Sequence, residues 1–186
     1  MILYYTCIQG TAISQPKPEF SLGGYMSSSP VPNGILGNLF SELSLLTLDK
    51  LQDEFIGLIL YNEQTTPSND VELYFNYPTP DLNGNPTNIC KYYIASVQLN
   101  TTGQPMENIL NRNAQPFNAT FYDAAGQSEA VNLGVIPSQT GLALWIKRSV
   151  ISDNIKLLFD PTTLDNNFLA GTVPSSVEEI DMVITY

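Results

Sequence analysis

The sequence predicts an all-β protein, an antiparallel β-sandwich of Ig-like or jelly-roll-like type with an extended N-terminal arm and one or two short helices. The prediction rests on short runs that alternate apolar and polar residues with period two, and on turn residues bounding those runs. The chain also lacks the alternating strand and helix patterns that a parallel α/β sheet requires. Residues 1–34 read as the arm, and residues 35–186 as a single sandwich domain.

Pro16, Pro18, Pro30 and Pro32, with Gly23-Gly24 and Ser27-Ser28-Ser29, give the amino-terminal segment its extended character. Proline removes a ladder donor, so such a segment cannot supply a regular central strand beyond a short one at its start. Two arrangements remain open for the arm, over a neighbouring subunit or back over its own domain. The run Met1 to Ile8 has no basic region and is too short and polar-interrupted for a signal peptide or membrane helix. No later stretch approaches eighteen consecutive apolar residues, so a protein soluble where it is made is expected.

Strands are predicted over Glu54 to Tyr61, Val71 to Tyr77, Ile89 to Leu99, Ala119 to Tyr122, Glu129 to Val135, Gly141 to Arg148 and Glu179 to Tyr186. In the second run Val71, Leu73, Phe75 and Tyr77 share one face, which is the pattern of a half-buried antiparallel strand. Turn chemistry separates the runs, and Asn83-Gly84 is its strongest signal. Helical spacing is limited to Leu36, Leu39, Phe40 and Leu43, where Gly37 intrudes, and to one turn through Met106, Ile109 and Leu110.

Of 186 residues, 43% are hydrophobic, enough for a core, but only 13% are charged. Average soluble domains carry about 25%. Uncharged polar side chains are cheaper to desolvate than charges, so this composition suits a surface covered by neighbouring subunits, or a secreted β domain with a neutral surface. Seven Lys and Arg oppose 18 Asp and Glu, giving a net charge of -11. A nucleic-acid binder needs a basic footprint and an anionic membrane attracts polybasic segments, so neither specific nucleic-acid binding nor membrane docking is expected.

The chain contains no histidine, which removes Ser-His-Asp and Cys-His catalysis and the H-E-x-x-H zinc helix. It has neither a G-x-x-x-x-G-K-[ST] loop nor a G-x-G-x-x-G turn after a strand. A non-enzymatic protein is therefore expected, with no catalytic, cofactor-binding or metal-binding residues and no cofactor. The weak candidates have plainer readings. Glu179 and Asp181 would share a face of the last strand, where a charged, solvated or interfacial edge is a better account than a carboxylate pair. Asp81 to Asn85 suggests a calcium loop, but Pro86 and Tyr92 stand where an EF-hand needs Gly and Glu. Asn100-Thr101-Thr102 and Asn118-Ala119-Thr120 match the glycosylation sequon without an export signal. Cys7 and Cys90 read as two buried thiols or one bridge, and Trp145 as a core plug or an interface anchor.

Three stretches resemble virion structural proteins of tailed bacteriophages, especially those of the crAss-like group of Bacteroides phages. They are Ser21 to Asn33 followed by Asn38-Leu39-Phe40, then Glu54 to Asn62 leading to Val71-Glu72-Leu73-Tyr74-Phe75, and Gly141 to Arg148. The sequence departs from the pattern at Gly57 and Leu58, where the phage proteins more often carry a charged residue. The resemblance implies a sandwich built in many copies into the head, neck or tail of a virion assembled in the bacterial host cytoplasm.

The expected function is a structural subunit of the virion, a ring-forming neck or tail connector (tail barrel) protein at the portal vertex. Its expected partners are itself in a homo-oligomeric ring and other virion proteins, such as portal, ring or tail proteins, with an acidic conduit for DNA. A head-decoration or fibre-base protein is the alternative within the same class. A carbohydrate-binding β-sandwich, suggested by ten Tyr, is the alternative from another class.

Overall fold

The computed structural model describes residues 1–33, 38–40, 52–77, 88–100, 104–151 and 180–186. Nine strands are formed among them: β1 Ile2–Cys7, β2 Tyr25–Pro30, β3 Glu54–Tyr61, β4 Ser68–Asn76, β5 Cys90–Asn100, β6 Tyr122–Asp123, β7 Val131–Ile136, β8 Gly141–Val150 and β9 Asp181–Thr185. They make a six-stranded sheet in the order β2-β1-β3-β8-β5-β6 and a three-stranded sheet in the order β7-β4-β9. Every strand pair is antiparallel, and the protein is an all-β sandwich.

Alternation sets the core between the sheets. Leu58, Leu60, Ile94, Leu144 and Ile146 of the large sheet meet Val71, Leu73 and Phe75 of the small one, so β4 buries the face predicted for it. The register of β3 on β8 runs without a break from Glu54 opposite Arg148 to Tyr61 opposite Gly141. These central strands are buried on both faces, because a second apolar layer covers the outer side of the large sheet. There Phe55, Ile59, Ala95, Ala143 and Trp145 pack against Met106 and Ile109. Antiparallel sheets usually leave one face to water, and the continuous apolar runs of β3 and β8 are what coverage on two faces demands.

The proline-rich amino-terminal segment lies back along its own domain. β1 is inserted between β2 and β3, and Pro30 closes β2 at the margin of the sheet, where a missing N–H is tolerated. The margin is not left open, since Ala12 donates to the Met26 carbonyl at 3.1 Å and Ser28 donates to the Ile13 carbonyl at 3.0 Å. From there the chain returns to β1 and β3 at Thr6 and Gly57. Ser21 accepts from the Thr6 N–H through its Oγ at 2.7 Å, and its carbonyl takes the Gly57 N–H at 2.8 Å.

Two elements differ from what the sequence predicts. The helical turn through Met106, Ile109 and Leu110 is not formed: Met106 and Gly24 exchange two backbone bonds, at 2.8 and 3.2 Å, and Ile109 donates to Leu22 at 2.9 Å. A long-range extended pairing has displaced the local spacing. The strand expected over Ala119 to Tyr122 shrinks to Tyr122–Asp123, since Ala119 and Phe121 instead pack under the large sheet. The helical spacing around Leu36 and Leu43, the Asn83-Gly84 turn, the Asp81 to Asn85 loop and Glu179 lie outside the described residues. Among the described residues the helical pieces are 3-10 turns, Pro18–Phe20 and Gln127–Glu129.

Candidate interaction surface

The segment 104–121 is the outer skin of the large sheet. Its inward side chains, Met106 and Ile109, sit on Trp145 and Phe55, and Phe55 donates to the Arg112 carbonyl at 2.7 Å. Gly23 and Gly24 make the close approach of the neighbouring strap possible. A Cβ at Gly23 would stand 1.9 Å from the Glu107 carbonyl oxygen and one at Gly24 2.5 Å from that of Cys7, and both residues have positive φ. Gly57 lies under the same crossing, where a Cβ would meet Gly23, Met106 and Trp145 within 3.0 to 3.2 Å. Leu58 fills the core between the sheets, so neither Gly57 nor Leu58 has room for a charge.

The outward side of the segment carries Leu110, 94% exposed, and Phe117, 87% exposed. Both sit on a braced loop. The two carboxylate oxygens of Glu107 accept from the Phe117 N–H at 3.0 Å, and Oε2 also accepts from Asn118 at 3.5 Å, closing a loop of ten residues. Asn111 turns the chain between, its Oδ1 accepting from Asn113 at 2.9 Å and its carbonyl from Ala114 at 3.1 Å. Phe20, also exposed, belongs to the strap that pairs with this segment.

Arg112 anchors the far end. Its Nη2 donates to the Leu39 carbonyl at 3.2 Å, and its guanidinium lies 5.0 Å from the centre of the Phe40 ring. Arg148 lies 4.7 Å from that ring and is bonded to Glu54 through Nε at 2.9 Å. Burial pushes the Arg112 guanidinium down from its ordinary range, with Glu54 pulling the other way. The triplet Asn38-Leu39-Phe40 is thus a plug gripped by two arginines.

The remaining sequence candidates are structural or exposed. Trp145 is 0% exposed and is a core residue. Cys7 and Cys90 are both buried and are not joined in a disulfide. Asp181 is exposed opposite Asn76, at the start of β9. Asn118 is exposed beside Phe117. Among the described residues no group of three His, Cys, Asp or Glu is placed to hold a metal ion. No helix among them is long and apolar enough to cross a membrane.

Some of the partly buried tyrosines have side-chain neighbours on their rings. Tyr93 has the Lys147 ammonium 4.5 Å and that of Lys91 5.5 Å from its ring centre, and Tyr4 meets Tyr61 edge to face at 85°. The bond to Asp123 raises the Lys91 pKa, so that ammonium stays charged beside the ring.

Periodicity could not reveal Glu107, Leu110 or Phe117 as a displayed unit. The signal that remains in the sequence is composition: between Gln104 and Thr120 apolar residues alternate with Asn and Gln, and only Glu107 and Arg112 are charged. Comparison with protein-family models, curated proteins and solved structures finds no match for the chain.

Proposed function

We propose that the protein is a structural subunit of a tailed-phage virion and, within it, a ring-forming connector of the neck or tail at the portal vertex. The observation that carries the structural reading is the braced loop from Glu107 to Asn118, which holds Leu110 and Phe117 in water. Large apolar side chains fixed in solvent by a hydrogen-bonded loop forgo burial in their own core. A partner surface recovers that burial without the entropy of ordering the loop. The charge-poor composition and the resemblance in Ser21 to Asn33, Glu54 to Asn62 and Gly141 to Arg148 supply the virion context.

In a connector, the net charge of -11 would keep passing DNA from adhering to the channel wall. Cryo-electron microscopy of the intact particle tests the proposal directly. Density for this chain in a ring at the portal vertex is the expected result. Density at the capsid surface or a fibre base overturns the connector placement, and absence from the particle overturns the virion reading altogether.

A further inference from the structure

We infer that the free edge of β9 is a docking site for an extended, basic segment of another protein, which adds to the three-stranded sheet as a further strand. The inference rests on the structural-subunit reading and deepens it by naming the chemistry of a partner. Among the described residues β9 has β4 bonded on one side and nothing bonded on the other. In an antiparallel pair every second residue directs its N–H and C=O away from the partner strand. This side of β9 therefore presents a row of unpaired donors and acceptors.

The other margins of the two sheets are blunted. Pro30 and the bonds made by Ala12 and Ser28 close β2, and β6 is only two residues long. On β7, Gly134 turns to a φ of 73° and donates its N–H to Asn132 Oδ1 at 2.7 Å, and the register against β4 slips twice. β9 has none of these devices. Its register on β4 runs unbroken from Asp181 opposite Asn76 to Thr185 opposite Glu72, and its sequence holds no Pro, Gly or Lys. A flat, uninterrupted margin of this kind is a template for another strand.

Side chains select the partner. Met182 and Ile184 share the core face with Phe75 and Leu73 but stay partly exposed, so an added strand with apolar residues at alternate positions would extend the core past them. Charge on this sheet is one-sided. Its strands contain Asp70, Glu72 and Asp181 and no Lys or Arg. The ion pairs of the described residues serve Asp53, Glu54 and Asp123, on the large sheet and its flank, and leave those three carboxylates without a cation. Glu72 and Asp181 lie on the outer face, where Lys or Arg of an incoming strand would meet them. A second copy of this chain, with its own net charge of -11, brings the wrong sign.

The probe is a soluble peptide of about eight residues that alternates Val with Lys, added to the full chain and read by fluorescence polarisation. It is expected to bind, more weakly at about 0.5 M than at about 0.05 M NaCl, whereas the matching Val/Glu peptide should not. Two further versions are methylated at alternate backbone nitrogens, on the valines or on the lysines. One should lose at least about tenfold in affinity and the other little, since only one set of N–H groups faces β9. Asp181→Lys, at an exposed position, should weaken binding about three- to tenfold and leave the melting temperature unchanged. Hydrogen exchange should place the protection gained in Asp181–Thr185 and not in Val131–Ile136.

No binding overturns the proposal, as does equal binding of the Val/Glu peptide or of both methylated versions. Protection of every β9 amide in the chain alone would mean that the edge is filled at home, and protection that appears only with self-association would name a second copy; either result also overturns it. The assay needs no particle, so the two readings fail separately. A chain absent from the virion that still takes the peptide removes the virion reading alone, and a virion chain that ignores the peptide removes the strand addition alone.

Discussion

The side-chain amide of Asn62 donates to the carbonyl of Ile136 at 3.1 Å, and this bond ties the two sheets together. Asn62 follows the last residue of β3 in the large sheet, and Ile136 is the last residue of β7 in the small one. The same Nδ2 reaches the carbonyls of Thr66 at 3.0 Å and Pro137 at 3.2 Å, and Oδ1 accepts from Gln64 at 3.0 Å. Asn62 is fully buried, so these bonds have no exchange with water. Asn62→Ala leaves several buried groups unpaired and should cost about 2–3 kcal/mol. Asn62→Asp is expected to be worse at neutral pH, because a carboxylate would face three carbonyl oxygens; burial raises the pKa of that carboxyl in the fold, so stability recovers in part as pH falls toward about 4. Urea denaturation of the two variants at pH 7 and pH 4 checks both statements.

Gly23 and Trp145 are coupled through the outer layer. Gly23→Ala would drive a methyl group into the Glu107 carbonyl and push segment 104–110 off the sheet. That segment supplies Met106 and Ile109, which cover Trp145. The expected outcome is a lowered melting temperature and a red shift of the emission from this sole tryptophan. A methyl placed at Gly126, where nothing lies within 4 Å, should leave the emission unmoved, despite the strain of its positive φ.

The central strands were legible because burial on both faces writes itself into the sequence. β3 spans Glu54–Tyr61, the bounds predicted for it, and Val71, Leu73 and Phe75 face the core as their alternation requires. β2 was not legible, since Ser27, Ser28, Ser29 and Pro30 look like linker when the strand lies at a margin and is stabilised by β1 rather than by its own side chains. The outer layer misled for a related reason. Met106, Ile109 and Leu110 have helical spacing, but their backbone partners, Gly24 and Leu22, lie more than eighty positions away in the chain. The Glu107 brace on Phe117 spans ten residues, beyond the reach of any local periodicity.

Trp145 separates packing from hydrogen bonding. Its indole N–H is buried without a hydrogen-bond partner, so the ring is held by contact alone. Trp145→Phe keeps much of that contact and loses no bond. It should cost under about 1.5 kcal/mol, well below the roughly 3–5 kcal/mol of Trp145→Ala, which opens a cavity. Were the phenylalanine variant as damaging as the alanine one, the N–H would have to be engaged. Guanidinium denaturation followed by circular dichroism distinguishes the two outcomes.

Tyr5 gives the fold a limit in alkali. Its hydroxyl donates to the Asn38 carbonyl, and burial, with Glu19 adding to it, pushes the phenol up to about 12. The unfolded chain releases this proton near pH 10, while the folded chain keeps it. Between those values the unfolded state binds fewer protons, so stability falls as pH rises. The contribution of Tyr5 is therefore whole below pH 10 and is lost through pH 12, a change on the order of 2 kcal/mol. Tyr5→Phe removes the titrating group together with its bond to Asn38. The variant should be less stable at pH 8 by about 1 kcal/mol, and its melting temperature should fall less steeply than that of the wild type between pH 10 and pH 12. Equal slopes for the two proteins would mean that Tyr5 ionises freely in the fold, and the plug formed by Asn38 and Phe40 would then have to be held by Arg112 and Arg148 alone.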